Sequence, residues 1–156
     1  MSDKDVIIAC DFKDREELFN FLDLFGDLRP FLKIGMELFY SEGKGLVKQL
    51  KDEGYDIFFD LKLHDIPTTV EKSMRVLGGM GVDIVNVHAA GGIDMMRAAR
   101  RGLDSTMAGQ QTKLIAVTQL TSTSQQMLSE ELLIDKPMPH VVSKILKYSL
   151  FACFFE

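Results

Sequence analysis

The sequence predicts an α/β fold built on a parallel sheet, an incomplete (β/α) barrel with about five of its eight βα units present. Three observations carry that prediction. Strand-like and helix-like segments alternate with a period of roughly 25 to 30 residues, the rhythm of βαβ units. The first strand-to-helix turn, "ACDFKDRE", lacks a glycine-rich phosphate fingerprint, which counts against a doubly wound dinucleotide fold. Polar residues stand at the C-terminal end of strand after strand: Asp11, Lys33, Asp60 with Lys62, His88 and Thr118. Barrels of TIM type build their sites on that face from many strands. A complete barrel takes ~250 residues, whereas this chain has 156. Residues 1–156 therefore read as a single domain, the N-terminal part of a barrel, with 135–156 as an atypical tail.

The elements follow in order. "VIIAC" (6–10) is a short β-branched strand, and in the next segment Leu18, Phe21, Leu22 and Phe25 mark one helical face. "FLKIGM" (31–36) is the second strand; Ser41 is placed to cap a helix carrying Leu46, Val47 and Leu50. "YDIFFDLK" (55–62) is the third strand. Thr68 and Glu71 have capping-box spacing after Pro67 and open a helix through Val70, Met74 and Leu77 to Gly78-Gly79. "DIVNVHA" (83–89) and "KLIAVTQL" (113–120) are the fourth and fifth strands, with the helix "GGIDMMRAARRGLDS" between them. The polar loop "TSTSQQ" then leads into a helical "MLSEELLI". Met and Phe stripes in these helices read as core.

Composition narrows the class. The chain is 46% hydrophobic and 26% charged, as in soluble globular domains. Its net charge of −5 disfavours a nucleic-acid partner, whose phosphates call for a basic surface. Cys10 and Cys153 lie near opposite ends without metal-ligand spacing and read as free buried thiols of a reducing compartment. The apolar stretch in "MSDKDVIIACDF" is too short for a signal peptide, and no run is long enough to span a bilayer. A cytoplasmic protein, with no membrane partner, is expected.

The chemistry concentrates in "DLKLHDIPTT" (60–69). Side chains at i and i+2 of a strand share a face, so Asp60 and Lys62 are expected to point together toward the barrel mouth. Asp65 follows in the connection, where the chain can carry it across the mouth or outward to a neighbouring subunit. Carboxylates around an ammonium favour its charged form, which suits proton donation and not Schiff-base chemistry. A solvated ion-pair cluster at a strand end is the competing structural reading. His64 and His88 lack ligand spacing, and His88 reads as a hydrogen-bonded structural residue.

These residues resemble the D-x-K-x-x-D signature of the orotidine 5'-phosphate decarboxylase family. "ACDF", "FLKIGMELFYSEG", "VNVHAAGG" and "VTQLTSTS" resemble that family's segments at the ends of strands one, two, four and five, in the same order from about residue 5 to about residue 134. The resemblance implies cofactor-independent decarboxylation of orotidine 5'-phosphate to UMP and CO2 in pyrimidine biosynthesis, by a homodimeric barrel without metal. Lys62 would protonate C6, Asp60 would lie beside the substrate carboxylate, and Asp65 would complete the charge network from the partner subunit. Asp11 would accept hydrogen bonds from ribose hydroxyls, and Lys33 would link the network to the ribose. Ile66 and Thr69 would contact base and ribose across the dimer interface, and Thr123 or Ser122 would bond the pyrimidine edge.

The sequence departs from the family after Ile134. "KPMPHVVSKILKYSLFACFFE" begins like a helix, ends in a phenylalanine-rich run, and offers no loop or arginine for a substrate phosphate. A truncated or frame-shifted product is expected, or else a tail that packs as a final helix over the sheet. Three functions follow: the decarboxylase, an inactive remnant of it, or a magnesium-dependent sugar-phosphate decarboxylase of the same barrel group. "LHDIPTT" and Lys33 favour the first.

Overall fold

The computed structural model describes residues 6–154, apart from the side chains of 151, 153 and 154. Five strands form one sheet: β1 (Ile7–Cys10), β2 (Phe31–Gly35), β3 (Ile57–Leu63), β4 (Ile84–His88) and β5 (Lys113–Val117). They are ordered β1-β2-β3-β4-β5 and every neighbouring pair is parallel. Spatial order that follows chain order, with a helix after each strand, is a partial barrel; a doubly wound sheet reverses its order partway. Among the described residues β1 and β5 are open edges.

The helices are α1 (Arg15–Leu22), α2 (Met36–Asp52), α3 (Pro67–Gly78), α4 (Gly92–Asp104) and α5 (Met138–Phe154). One face of the sheet, with Leu32, Ile34, Ile57, Phe59, Val85 and Val87, is fully buried with helix residues such as Leu18, Leu46, Leu50, Met74 and Met95. Phe59 meets Phe39 of α2 edge-on at 4.6 Å. The opposite face is the barrel interior and carries Lys33, Phe58, Asp60 and Asn86 by register. Toward the open edges that face is wet, with Ile7 and Ile115 more than 40% exposed.

α1 starts at Asp14, whose carboxylate accepts from the Glu17 amide at 3.0 Å. The expected Ser41 cap does not form. α2 begins directly after β2 with Gly35 as its N-cap, so Ser41 lies inside it, and the interruption falls at Gly43 (φ 68°), a conformation suited to glycine. The Thr68–Glu71 capping box is likewise absent. Pro67 occupies the first helical turn and starts α3 early, with Ile66 as N-cap and no side-chain cap. Glu71 instead pairs with Arg101 of α4 at 2.9 Å. α3 and α4 meet closely, because a Cβ on Gly102 would lie 2.3 Å from the Glu71 carbonyl oxygen.

Beyond β5 the expected helix over "MLSEELLI" shrinks to one π turn, Met127–Glu131, whose first amide donates to Ser124 Oγ at 3.1 Å, followed by Leu133 at φ 55°. The tail is a helix that packs mainly against α4 and not over the open sheet face, and it buries Val141, Ser149 and Ala152. The Cys153, Phe151 and Phe154 side chains, Phe155 and the N-terminal residues before Val6 lie outside the description. No helix among the described residues is long and apolar enough to cross a membrane.

Candidate active site

The C-terminal end of the sheet gathers a row of alternating charge. Lys33 Nζ lies 3.1 Å from Asp11 Oδ1 and 3.7 Å from Asp60 Oδ2. Lys62 Nζ donates to Asp60 Oδ1 at 2.6 Å. The sequence thus named four residues that the fold brings together: Asp11 after β1, Lys33 on β2, and Asp60 and Lys62 on β3. Asp60 and Lys33 are mostly enclosed, whereas Asp11 is 71% exposed at the mouth.

Asp60 and Lys62 do not meet by simple alternation. Phe59 pairs with Val85 and Leu63 with Val87, so four steps along β3 match two along β4. The excess is a bulge, and Lys62 within it takes φ 50°. Its amide, displaced from the ladder, donates to Asn86 Oδ1 at 2.7 Å. Asn86 Nδ2 in turn donates to Asp60 Oδ1 at 2.6 Å. Sequence reasoning missed Asn86. The available signal was an amide in the middle of the apolar "DIVNVHA", since a buried amide needs partners at both ends.

Burial pushes the Asp60 carboxyl up, but hydrogen bonds from Lys62 and Asn86 and the charges of Lys62 and Lys33 outweigh it and hold the group below the usual carboxylate range. Asp60 is therefore ionised at neutral pH. The Cys10 thiol behind Asp11 is free, buried and pushed up to about 12, chiefly by burial, as expected of an inert thiol.

Asp65 stands apart within this chain. Its carboxylate accepts from the Ile66 amide at 2.6 Å and is not within ion-pair distance of Lys62. Asp65, Ile66 and Thr69 are all exposed at the start of α3. His64, Asp65, Ile66, Pro67, Ala90 and Gly91 line an open hollow of about 540 Å³ there. Ser122 is exposed and Thr123 half-buried in the loop after β5, at the same end of the sheet. The expected hydrogen bond of His88 is a correction: among the described residues its ring has no hydrogen-bond partner. It packs at 5.7 Å from the His64 ring, and burial first, then His64 and Lys62, lower its pKa. Such a position favours a neutral imidazole, because burial first and then the neighbouring His64 and Lys62 disfavour the charged ring.

Comparison with known proteins shows the family of the chain. The family model described as "Orotidine 5'-phosphate decarboxylase / HUMPS family" matches residues 4–149. The chain belongs to that family. It is 58% identical over 137 residues to the orotidine 5'-phosphate decarboxylase of Shouchella clausii, covering 86% of this chain and 57% of that relative. To the corresponding enzyme of Halalkalibacterium halodurans it is 55% identical over 141 residues, covering 88% of this chain and 59% of the relative. The crystal structure of orotidine 5'-phosphate decarboxylase from Lactobacillus acidophilus superimposes with a TM-score of 0.91 at 39% identity, over 96% of this chain and 68% of that one. An uncharacterized conserved protein of Geobacillus kaustophilus gives 0.90 at 46% identity, over 94% and 69%. The chain thus spans under three-fifths of the length of these two curated relatives.

Proposed function

We propose that this chain carries the proton-donating part of an orotidine 5'-phosphate decarboxylase site, converting orotidine 5'-phosphate to UMP and CO2 in pyrimidine biosynthesis. The observation that carries the reading is the Asp11–Lys33–Asp60–Lys62 row at the mouth of the sheet. When the bond from C6 to the carboxylate breaks, its electron pair stays on C6, which has no good resonance sink. A fixed ammonium stabilises that developing charge and then delivers its proton to C6. Lys62 fills both roles, and the amine left behind regains a proton from solvent. Asp60, ionised, lies beside the departing carboxylate. No cofactor enters this chemistry.

Asp11 and Lys33 bind the ribose. Asp65, Ile66 and Thr69 serve the site of a partner subunit in a homodimer, a reading supported by their exposure beside the open hollow. Ser122 or Thr123 bonds the pyrimidine edge. Residues 1–156 act as one domain of a cytoplasmic enzyme, with 135–156 as its distinct tail. The experiment is UMP formation by the purified chain, and by the chain joined to the further C-terminal residues that its relatives carry. Lys62→Ala abolishes product in both. Mixing Lys62→Ala with Asp65→Ala subunits restores part of it, because one of the two sites is then whole. UMP formation retained by Lys62→Ala overturns the reading. Loss of activity on chelation would favour the magnesium-dependent sugar-phosphate alternative.

A further inference from the structure

Asn86 is a buried polar side chain to which the roles above assign nothing. It sits in the centre of β4, only 3% exposed, between the fully buried Val85 and Val87. Both ends of its carboxamide are engaged at short distance. Nδ2 donates to Asp60 Oδ1 at 2.6 Å, and Oδ1 accepts from the Lys62 amide at 2.7 Å. These partners are the two members of the reacting ion pair, joined to each other at 2.6 Å. The three bonds close a ring through the bulge of β3.

The second bond has a particular role. The bulge takes the Lys62 amide out of the β3–β4 ladder, and a half-buried N–H must find another acceptor. Asn86 supplies one from the facing strand, with its oxygen toward β3. Without that acceptor the Lys62 amide loses the hydrogen bond that favours φ 50° within the bulge, a region that a side-chain-bearing residue leaves when free. Relaxation toward extended backbone would swing the ammonium off Asp60.

We propose that Asn86 is the positioning residue of this site: one carboxamide holds the Lys62 backbone in its left-handed bulge and the Asp60 carboxylate against the Lys62 ammonium. The inference rests on the reading of Lys62 as proton donor. Asn86 does not touch the reacting atoms and acts through the other two residues. Its donation to Asp60 also helps keep that carboxylate ionised against burial.

The test uses the isotope-labelled full chain in solution by NMR. In the unsubstituted chain, a scalar coupling across the hydrogen bond from the Lys62 amide nitrogen to the Asn86 side-chain carbonyl carbon is expected. Its absence overturns the proposal, whether or not any variant folds. Asn86→Leu keeps the branched shape at Cγ and removes both bonds. Asn86→Asp keeps the acceptor and replaces the donor by a like charge. In either folded variant the Asp60 carboxyl titrates at higher pH, and in Asn86→Leu the Lys62 amide shift moves as well. Unchanged Asp60 titration and unchanged Lys62 shifts in folded Asn86→Leu overturn the proposal. In whichever form makes UMP, Asn86→Asp lowers kcat by roughly 100-fold, the scale of one lost preorganising donor. KM stays within about threefold, as for an interaction used in the transition state. A raised KM with unchanged kcat overturns it. Product formation by Lys62→Ala would instead refute the decarboxylase reading, while the NMR result on the Asn86 bonds would stand on its own.

Discussion

Lys62 and Leu133 are the two non-glycine residues with positive φ among the described residues, at 50° and 55°, and they are held there by different means. Leu133 is 82% exposed in the turn that follows the π turn. Its neighbours close locally, with the Leu132 amide donating to the Met127 carbonyl at 3.0 Å and the Ile134 amide to Leu128 at 2.9 Å. Lys62 is half-buried within β3, and its amide is taken by a side chain from another strand, 24 residues away in the chain. A left-handed backbone costs a side-chain-bearing residue on the order of 1–2 kcal/mol in either place. At Leu133 a tight turn requires it. At Lys62 the whole sheet imposes it, and the result is an ammonium aimed at Asp60. The same dihedral angle marks a connection in one region and candidate chemistry in the other.

Substituting glycine at each position is the sharpest way to break this comparison. Lys62→Gly keeps the backbone conformation without strain but removes the ammonium. In whichever form of the chain makes UMP, its formation should fall by about 10⁴-fold or more, combining the scales of a lost proton donor and a lost electrostatic stabiliser. The chemical denaturation midpoint should move little by comparison, since relief of strain offsets the lost ion pair. Activity within tenfold of the unsubstituted protein would remove the distinction between the two residues.

Packing gives the next largest effect. Phe59, fully buried just before the bulge, is expected to lose about 3–5 kcal/mol of stability on truncation to alanine. Leu132→Ala, half-exposed beside Leu133, should stay within about 0.5 kcal/mol. Urea titrations of both variants check the contrast. Equal losses would show that the loop after β5 is as tightly built as the sheet.

Acidification should act on the β3–β4 region through two groups. Asp60 is held below the usual carboxylate range, so its stabilising contribution is present at neutral pH and disappears as pH falls through its lowered native value. His88 is also lowered, by burial and by its neighbours His64 and Lys62, so the unfolded chain takes up that proton first. Stability should therefore begin to fall below about pH 6.5, the ordinary histidine value, and stop falling through this group once its native value is passed. Denaturation midpoints between pH 7 and pH 5 report it, and His88→Gln should flatten the slope there. An undiminished slope in that variant would place the proton uptake elsewhere.

The smallest effect is expected at Leu133→Gly. Relief of the left-handed strain and the added freedom of the unfolded chain oppose each other, leaving a gain of at most about 1 kcal/mol. In whichever form makes UMP, its formation should be untouched.

Much of the fold was legible because strands and helices are written in local spacing. The β-branched runs, the i, i+3, i+4 face of α1 and the beat of alternating elements located all five strands and their parallel arrangement. Helix starts were less legible. Ser41 and the Thr68–Glu71 pair have the right letters for caps, but Gly35, Gly43 and Pro67 decided where the backbone could enter a helix. Asp11, Lys33, Asp60 and Lys62 could be named from their places at strand ends, since a parallel sheet brings those ends together. The sequence alone also marked Asp60 and Lys62 as neighbours in space. It did not reveal the bulge that brings them to 2.6 Å, nor the partnership with Asn86 across the sheet. Register between strands depends on which ladder, side chains and core contacts are best satisfied together. Tertiary structure alone settles that competition, and here it turned an ordinary strand asparagine into the clasp between an acid and a base.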